Sequence, residues 1–325
     1  MTPLAIIGLG NIGRVHLDNL QSLRGCRVAG VFDVQAPASD PGVFVYPSLA
    51  ALLQDPAAVA VVIATPSDTH AELTERALAA GKHVFVEKPL AGTLQDAKRI
   101  TDAARQHPSR VVQAGFCERF NVNYLEARRA VLAGSLGELR AIQTSRVAPY
   151  GMSNPAWEMG VLDTAVHNLD LILWLKQAAP VSVLARGARV YPESISPDAV
   201  TTVLTFADGS IAVDHIAWMQ DGGFPLNQCA RSRMTLQGSD GYFEIDLTDR
   251  PSAIRTKDGY RAIDSVIIGA PEYAGCLKLQ FEYFLRSVEE GAPVLAPVED
   301  ALLTERVALA ALESLRSGRE VHLAE

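Results

Sequence analysis

A doubly wound α/β domain followed by an α+β domain is the fold class that this 325-residue sequence predicts. Short apolar runs rich in Val and Ile alternate with amphipathic stretches as far as residue 114, which is the pattern of parallel strands buried on both faces and the helices between them. A glycine-rich turn, Gly8-Leu9-Gly10-Asn11-Ile12-Gly13, joins the first such run to the first amphipathic stretch. Beyond Cys117 the texture changes to strand-length runs separated by turn residues, the signature of a mostly antiparallel, open sheet.

In order along the chain, the predicted strands of the first domain are Leu4–Gly8, Val28–Phe32, Val59–Ala64, His83–Val86 and Arg110–Ala114. Pro3 fits at the start of the first, where a missing N–H costs least. The helical stretches between them are Ile12–Leu23, Leu49–Leu53, Thr69–Ala80 and Leu94–Gln106. In the second half a helix at Asn123–Ala133 leads through Gly134 and Gly137 into a long strand, Leu139–Ala148, and a strongly apolar helix follows at Met159–Leu175. Strand-like runs then cover Val181–Val190, Val200–Phe206, Ser210–Trp218, Arg231–Gln237 and Tyr242–Leu247, with Asp208-Gly209 as a hairpin signal. Helices return at Leu277–Glu290 and Val298–Ser317, and a short strand at Glu320–Leu323 closes the chain. The expected domains are 1–118 for dinucleotide binding and 119–325 for substrate and oligomer contacts.

Composition excludes several function classes. With 29 Lys and Arg against 37 Asp and Glu, the net charge is −8, and a phosphate or anionic-lipid surface repels such a protein. No apolar stretch approaches the length of a membrane span. The four cysteines (Cys26, Cys117, Cys229 and Cys276) lie far apart with no C-x-x-C pair, so reduced thiols are expected rather than a disulfide framework or a zinc knuckle. The first strand opens at Pro3, which leaves no room for a leader peptide. A cytoplasmic protein without nucleic-acid or membrane partners is the expectation.

Gly8, Gly10 and Gly13 match G-x-G-x-x-G with a strand before and a helix after. Gly8 allows the tight turn, Gly10 lets the backbone approach a pyrophosphate, and Gly13 lets helix and strand pack closely. The helix start, with Asn11 and Ile12, offers N–H groups and a positive dipole end to the phosphates. Asp33 ends the second strand 20 residues after Gly13, where a carboxylate accepts from ribose hydroxyls. A 2′-phosphate would meet a like charge there, and no Arg or Lys occurs in residues 34–40. NAD is therefore expected over NADP.

Two further segments sit at strand ends, where open α/β sheets bind ligands. Ala64-Thr65-Pro66-Ser67-Asp68-Thr69-His70 follows one strand and Glu87-Lys88-Pro89 follows the next. With these marks the sequence resembles the Gfo/Idh/MocA family, named for glucose–fructose oxidoreductase and inositol dehydrogenase, over essentially its whole length. The resemblance implies that Lys88 reaches both the nicotinamide region and the substrate hydroxyl. Thr65, Pro66, Ser67, His70 and Glu87 are its further candidate cofactor residues. It also implies that Asp163 and His167, in Gly160-Val161-Leu162-Asp163-Thr164-Ala165-Val166-His167, are catalytic, with His167 as general acid–base and Asp163 orienting the substrate or tuning His167. Independently, the two are four residues apart and share one helical face, and imidazole titrates near neutrality. The bland alternative is a structural i,i+4 pair; a zinc site lacks a third ligand, so no metal is expected.

The resemblance implies substrate contacts in the segments carrying Arg119, Arg146 and Trp157, and His215 and Trp218 sit on the later hairpin. The resulting expectation is hydride transfer between a secondary alcohol of a sugar, cyclitol or nucleotide sugar and the nicotinamide. The rival is a non-catalytic dinucleotide-sensing regulator of the same fold, which would keep the glycine turn and lose Lys88, Asp163 and His167. The resemblance further implies a homodimer or homotetramer through the second domain's sheet, with Ile211, Val213 and Trp218 as contributors.

Overall fold

The apolar runs of the first half form one parallel sheet. In the computed structural model, which describes residues 1–35, 40–150, 158–219, 231–247, 253–256, 259–262 and 275–323, these strands are β1 (Thr2–Ile7), β2 (Cys26–Phe32), β3 (Ala60–Ile63), β4 (His83–Val86) and β5 (Val112–Ala114). They pair in the order β2-β1-β3-β4-β5, all parallel. Every residue of β3 and all but the first of β4 are buried, which is why these runs show no alternation. From β1 the chain goes out to β2 on one side and then returns to β3 on the other. The carboxyl ends of β1 and β3 therefore flank the switch point of the sheet, the place where such folds bind ligands.

The intervening helices are α1 (Asn11–Gln21), α2 (Leu49–Gln54), α3 (His70–Ala79) and α4 (Leu94–Gln106). Ser48 and Thr93 cap α2 and α4, each accepting a backbone N–H at 3.1 Å. Helix α1 has Gly10 at its N-cap and no side-chain cap.

The second half comprises α5 (Val122–Leu132), β6 (Leu139–Pro149), α6 (Leu162–Lys176), β7 (Pro180–Ala188), β8 (Ala199–Phe206), β9 (Ile211–Met219), β10 (Arg231–Gly238), β11 (Tyr242–Asp246), β12 (Ala253–Thr256), β13 (Gly259–Ala262), α7 (Cys276–Glu290), α8 (Val298–Ser317) and β14 (Val321–His322). Seven strands form a sheet in the order β11-β10-β6-β9-β8-β7-β14. Only the β6–β9 pair is parallel; the other pairings are antiparallel. The Asp208-Gly209 turn joins β8 to β9 as expected, with Gly209 at φ +80° and Asp208 Oδ1 accepting the Ser210 N–H at 3.0 Å. The β12–β13 hairpin was not anticipated.

The chain divides into two compact units, Met1–Asn121 with Ser265–Glu305 and Val122–Asp264 with Arg306–Glu325. The first unit thus takes in a stretch from far along the chain, which a linear division into 1–118 and 119–325 does not do. Its reason is apolar burial: Phe281, Phe284 and Leu285 of α7 join Leu4, Ile6, Leu17, Leu20 and Phe85 in one core. In the second unit α6 packs on β6 and β9. The covered face carries Ile142, Ala148, Leu204, Ala212, Ile216, Trp218 and Leu236, all buried. The other face alternates outward, with Val203 and Val213 half-buried and Ile211 exposed.

Candidate active site

Backbone contact dictates the glycines at the carboxyl edge of the first unit. Gly8 lies at φ +98°, and a Cβ there would meet Ala64 O at 2.5 Å. A Cβ on Gly13 would meet Gly8 O at 2.1 Å, so helix and turn touch through backbone alone. A Cβ on Gly10 would meet nothing within 4 Å, and Gly10 and Asn11 are exposed while Ile12 is half-buried. The uncapped start of α1 is thus open to an incoming anion. Asp33 grips the turn: its Oδ2 accepts the Leu9 N–H at 2.6 Å and its Oδ1 accepts the Gln35 N–H at 2.8 Å. These features fit a dinucleotide, with the turn amides for the pyrophosphate and Asp33 for the ribose.

The next two strand ends carry the other predicted residues. After β3, Thr65 and Thr69 share a hydroxyl contact at 2.7 Å, and Thr69 donates to Pro66 O at 2.7 Å. Pro66 is exposed and Ser67 half-buried in a short 3₁₀ turn, Ser67–Thr69. His70, expected to line the cofactor, instead turns inward and is 1% exposed. Its Nε2 lies 2.9 Å from Thr65 O, and its Nδ1 lies 3.2 Å from Pro89 O and 3.2 Å from Leu90 O. It fills the space between the two strand-end turns, and burial pushes its affinity for a proton down, so the neutral ring donates its one N–H to one turn at a time.

After β4, Lys88 is half-buried and the Lys88-Pro89 peptide is cis. Glu87, also expected to line the cofactor, is buried. Its Oε2 accepts the Lys88 backbone N–H at 3.0 Å, and its Oε1 lies 2.6 Å from His16 Nε2. Sequence reasoning missed His16. The signal available was its position on α1, in the same stripe as Gly13, Leu17 and Leu20, where a polar residue needs a partner.

In the second unit, Asp163 and His167 lie on α6 as predicted. Residues 162–175 of α6 are buried with one exception, His167, which keeps partial exposure. Beneath the helix runs a polar network that the sequence reading did not foresee. Arg146 Nε donates to Asn168 Oδ1 at 2.9 Å, Asn168 Nδ2 donates to Asp214 Oδ1 at 2.7 Å, and Thr144 Oγ1 donates to the same oxygen at 2.6 Å. Burial pushes the Asp214 carboxyl up, against the pull of these bonds and of Arg146. The parallel register that sets Thr144 beside Asp214 and Arg146 beside Ile216 brings residues 70 apart into contact, which no local pattern encodes.

The residues proposed for substrate contact fare differently. Arg146 is 3% exposed and supports α6 from below. Arg119 is 1% exposed and spends Nη1 on Leu295 O at 2.9 Å and Asp300 Oδ2 at 2.7 Å, within the first unit. Trp218 is buried on the covered face against Tyr150, ring centroids 5.6 Å apart, so it does not belong to the open face as expected. His215 is exposed on that face beside Thr201, at 3.0 Å. Trp157 lies outside the described residues. Among the described residues no group of three or more His, Cys, Asp or Glu could hold a metal ion, and no helix is long and apolar enough to cross a membrane.

Glycines forced by backbone contact, and a carboxylate gripping the turn they form, place the first unit in the class of NAD-binding Rossmann domains. Comparison with known proteins makes this particular. Residues 3–116 match the model of an oxidoreductase family with an NAD-binding Rossmann fold, and residues 124–244 match the GFO/IDH/MocA C-terminal domain. The inositol 2-dehydrogenase of Paracoccus denitrificans (strain Pd 1222) is 32% identical over 271 residues, 79% of this chain and 76% of that one. The chain belongs to the GFO/IDH/MocA family of oxidoreductases. The inositol 2-dehydrogenase/D-chiro-inositol 3-dehydrogenase of Lacticaseibacillus casei is 34% identical over 183 residues, 54% of this chain; the match spans about half the relative's length, 53%. The crystal structure of scyllo-inositol dehydrogenase from Lactobacillus casei with bound NAD(H) and scyllo-inositol superimposes with a TM-score of 0.84 over 99% of both chains. At 23% identity it speaks for the fold alone.

Proposed function

We propose that this chain is an NAD-dependent dehydrogenase that oxidises a secondary alcohol of a cyclitol, sugar or nucleotide sugar, with inositols the first substrates to test. The observation that carries the reading is Lys88: it stands at the carboxyl end of β4, on the sheet edge that also presents the glycine turn and Asp33. The inositol dehydrogenases among its relatives support the cyclitol choice, and nothing among them favours the non-catalytic sensor.

The amides of residues 8–13, Asp33 and the Thr65–Ser67 turn would hold NAD, which when bound supplies the hydride acceptor at C4 of its nicotinamide. Lys88 hydrogen-bonds the carbinol oxygen and holds its charge. His167, the partly exposed imidazole of α6, takes the hydroxyl proton as hydride leaves carbon and returns it in reverse. Asp163, one turn earlier, orients the substrate or His167. Asp33 disfavours a 2′-phosphate by like charge, so NAD is the cofactor of choice. The open face of the seven-stranded sheet, with Val203, Ile211 and Val213, is proposed to join copies of the chain into a homodimer or homotetramer. The free thiols of Cys26, Cys117 and Cys276 suit a cytoplasmic location.

The test is NADH absorbance on a panel of myo-, scyllo- and D-chiro-inositol, simple sugars and nucleotide sugars. Turnover on an inositol is expected, with kcat/KM lower for NADP than for NAD. Lys88→Met and His167→Asn should each lower kcat by about 10²- to 10⁴-fold while leaving Tm in place. No turnover across the panel, or near-normal turnover in both variants, would overturn the reading.

A further inference from the structure

We propose that His16 and Glu87 are positioning residues that set the backbone of Lys88 from inside the first unit, so that the helix opening on the glycine turn and the turn carrying the lysine are held by one chain of hydrogen bonds. This inference rests on the reading of Lys88 above and adds two residues to it.

The carboxylate of Glu87 is enclosed. A Cβ on Gly115 would lie 2.9 Å from its carboxyl carbon, so only a glycine leaves room for the group, and backbone closes it from that side. One oxygen meets His16 Nε2 at 2.6 Å and the other the Lys88 N–H at 3.0 Å. His16 is fully buried, its ring edge-on to Phe85 (centroids 5.7 Å, 81°) and to Phe281 (4.9 Å, 87°). An ionised carboxylate only accepts, so Nε2 carries the proton and donates it. His16 Nδ1 has no hydrogen-bond partner, which in this tautomer strands a lone pair rather than an N–H.

The pair costs burial of a charge, and an apolar pair of similar volume would be at least as stable there. What the polar pair supplies is direction. Apolar side chains at 16 and 87 would fill the space without fixing the peptide plane of Lys88. From the other side the buried ring of His70 packs its Nδ1 edge at 3.2 Å against the carbonyls of Pro89 and Leu90, so the backbone from 88 to 90 is bonded at its N–H and flanked at two carbonyls. A lysine has four flexible side-chain torsions, and the reach of its ammonium is decided first by where its Cα is set.

The test uses the full chain and the variants His16→Leu, His16→Gln and Glu87→Met. One readout is the acetylation rate of Lys88 relative to exposed Lys98 under limiting acetic anhydride, measured by mass spectrometry. The others are NADH affinity by fluorescence and kcat and KM with myo-inositol. For His16→Leu the Lys88:Lys98 ratio should change at least about threefold and kcat should fall about 10- to 100-fold, with KM and NADH affinity held within a few-fold. His16→Gln, whose amide can still donate to Glu87, should restore most of both. An unchanged ratio in His16→Leu, or a His16→Gln variant no better than His16→Leu, overturns the proposal. If His16→Leu does not fold, Glu87→Met, which removes both acceptors at similar volume, decides by the same ratio. If the unmodified chain turns over no polyol, the catalytic reading fails while the labelling ratio still tests the positioning.

Discussion

His70 shows what one residue can do in two directions at a sheet edge. Its ring faces carbonyls at both nitrogens, an arrangement that favours the imidazolium, yet burial outweighs them and holds its pKa below the ordinary 6.5. The folded state therefore binds fewer protons here than the unfolded chain as pH falls through 6.5. The contribution of neutral His70 is complete above that value and is lost on acidification below it. Tm should fall between neutral and mildly acid pH more steeply in the wild type than in His70→Gln, which cannot titrate; parallel curves would contradict this. The family resemblance placed His70 beside the cofactor, in a motif at a strand end, and position along the chain was legible. The direction of the ring was not, because it depends on carbonyls 19 and 20 residues away.

At the scale of the element, α6 is a helix of apolar residues resting on a polar floor. Asp214 is fully buried and its carboxyl is pushed up from 3.8, chiefly by desolvation. A raised carboxyl favours the protonated form in the fold, so its contribution is best at low pH and is lost as pH rises above the unfolded value. Asp214→Asn keeps an acceptor for Thr144 and Asn168 and removes the charge that burial opposes. It should stay within about 1.5 kcal/mol of wild type at neutral pH and compare less well in acid. Asp214→Leu removes the acceptor and the counter-charge of Arg146 together and should cost about 3–5 kcal/mol in denaturant unfolding. Equal stability of the two variants would contradict the network. The helix itself, and the placement of Asp163 and His167 on one face of it, were readable from periodicity. Its support was not: Arg146 was expected to contact substrate and Asp214 carried no local signal, and the β6–β9 register decided that both lie on the covered face.

For the whole molecule, the outward face of the seven-stranded sheet bears on assembly. Ile211 is 43% exposed in this chain, and half-buried Val203 and Val213 lie on the same face of the sheet, which is the apolar surface the proposed association would cover. Light scattering should give a dimer or tetramer, and Val213→Asp should reduce it to a monomer; a monomeric wild type would end the proposal. Trp218, first grouped with these residues, faces the other way because strand side chains alternate and it shares its side with Asp214 and Ile216.

The sequence by itself determined the order and type of nearly every element, the glycine turn with its carboxylate and the face shared by Asp163 and His167. These are local properties, written in periods of two and 3.6 residues and in what glycine alone can do. Only the tertiary structure decided that α7 returns to complete the first unit's core, that Glu87, met by His16, takes the Lys88 N–H while His70 lies beside the carbonyls of Pro89 and Leu90, and that Arg119 and Arg146 are buried. The physical reason is the same in each case. Periodicity tells which face of an element is turned inward, but the partner that a buried side chain, apolar or polar, finds there comes from chain far away in sequence.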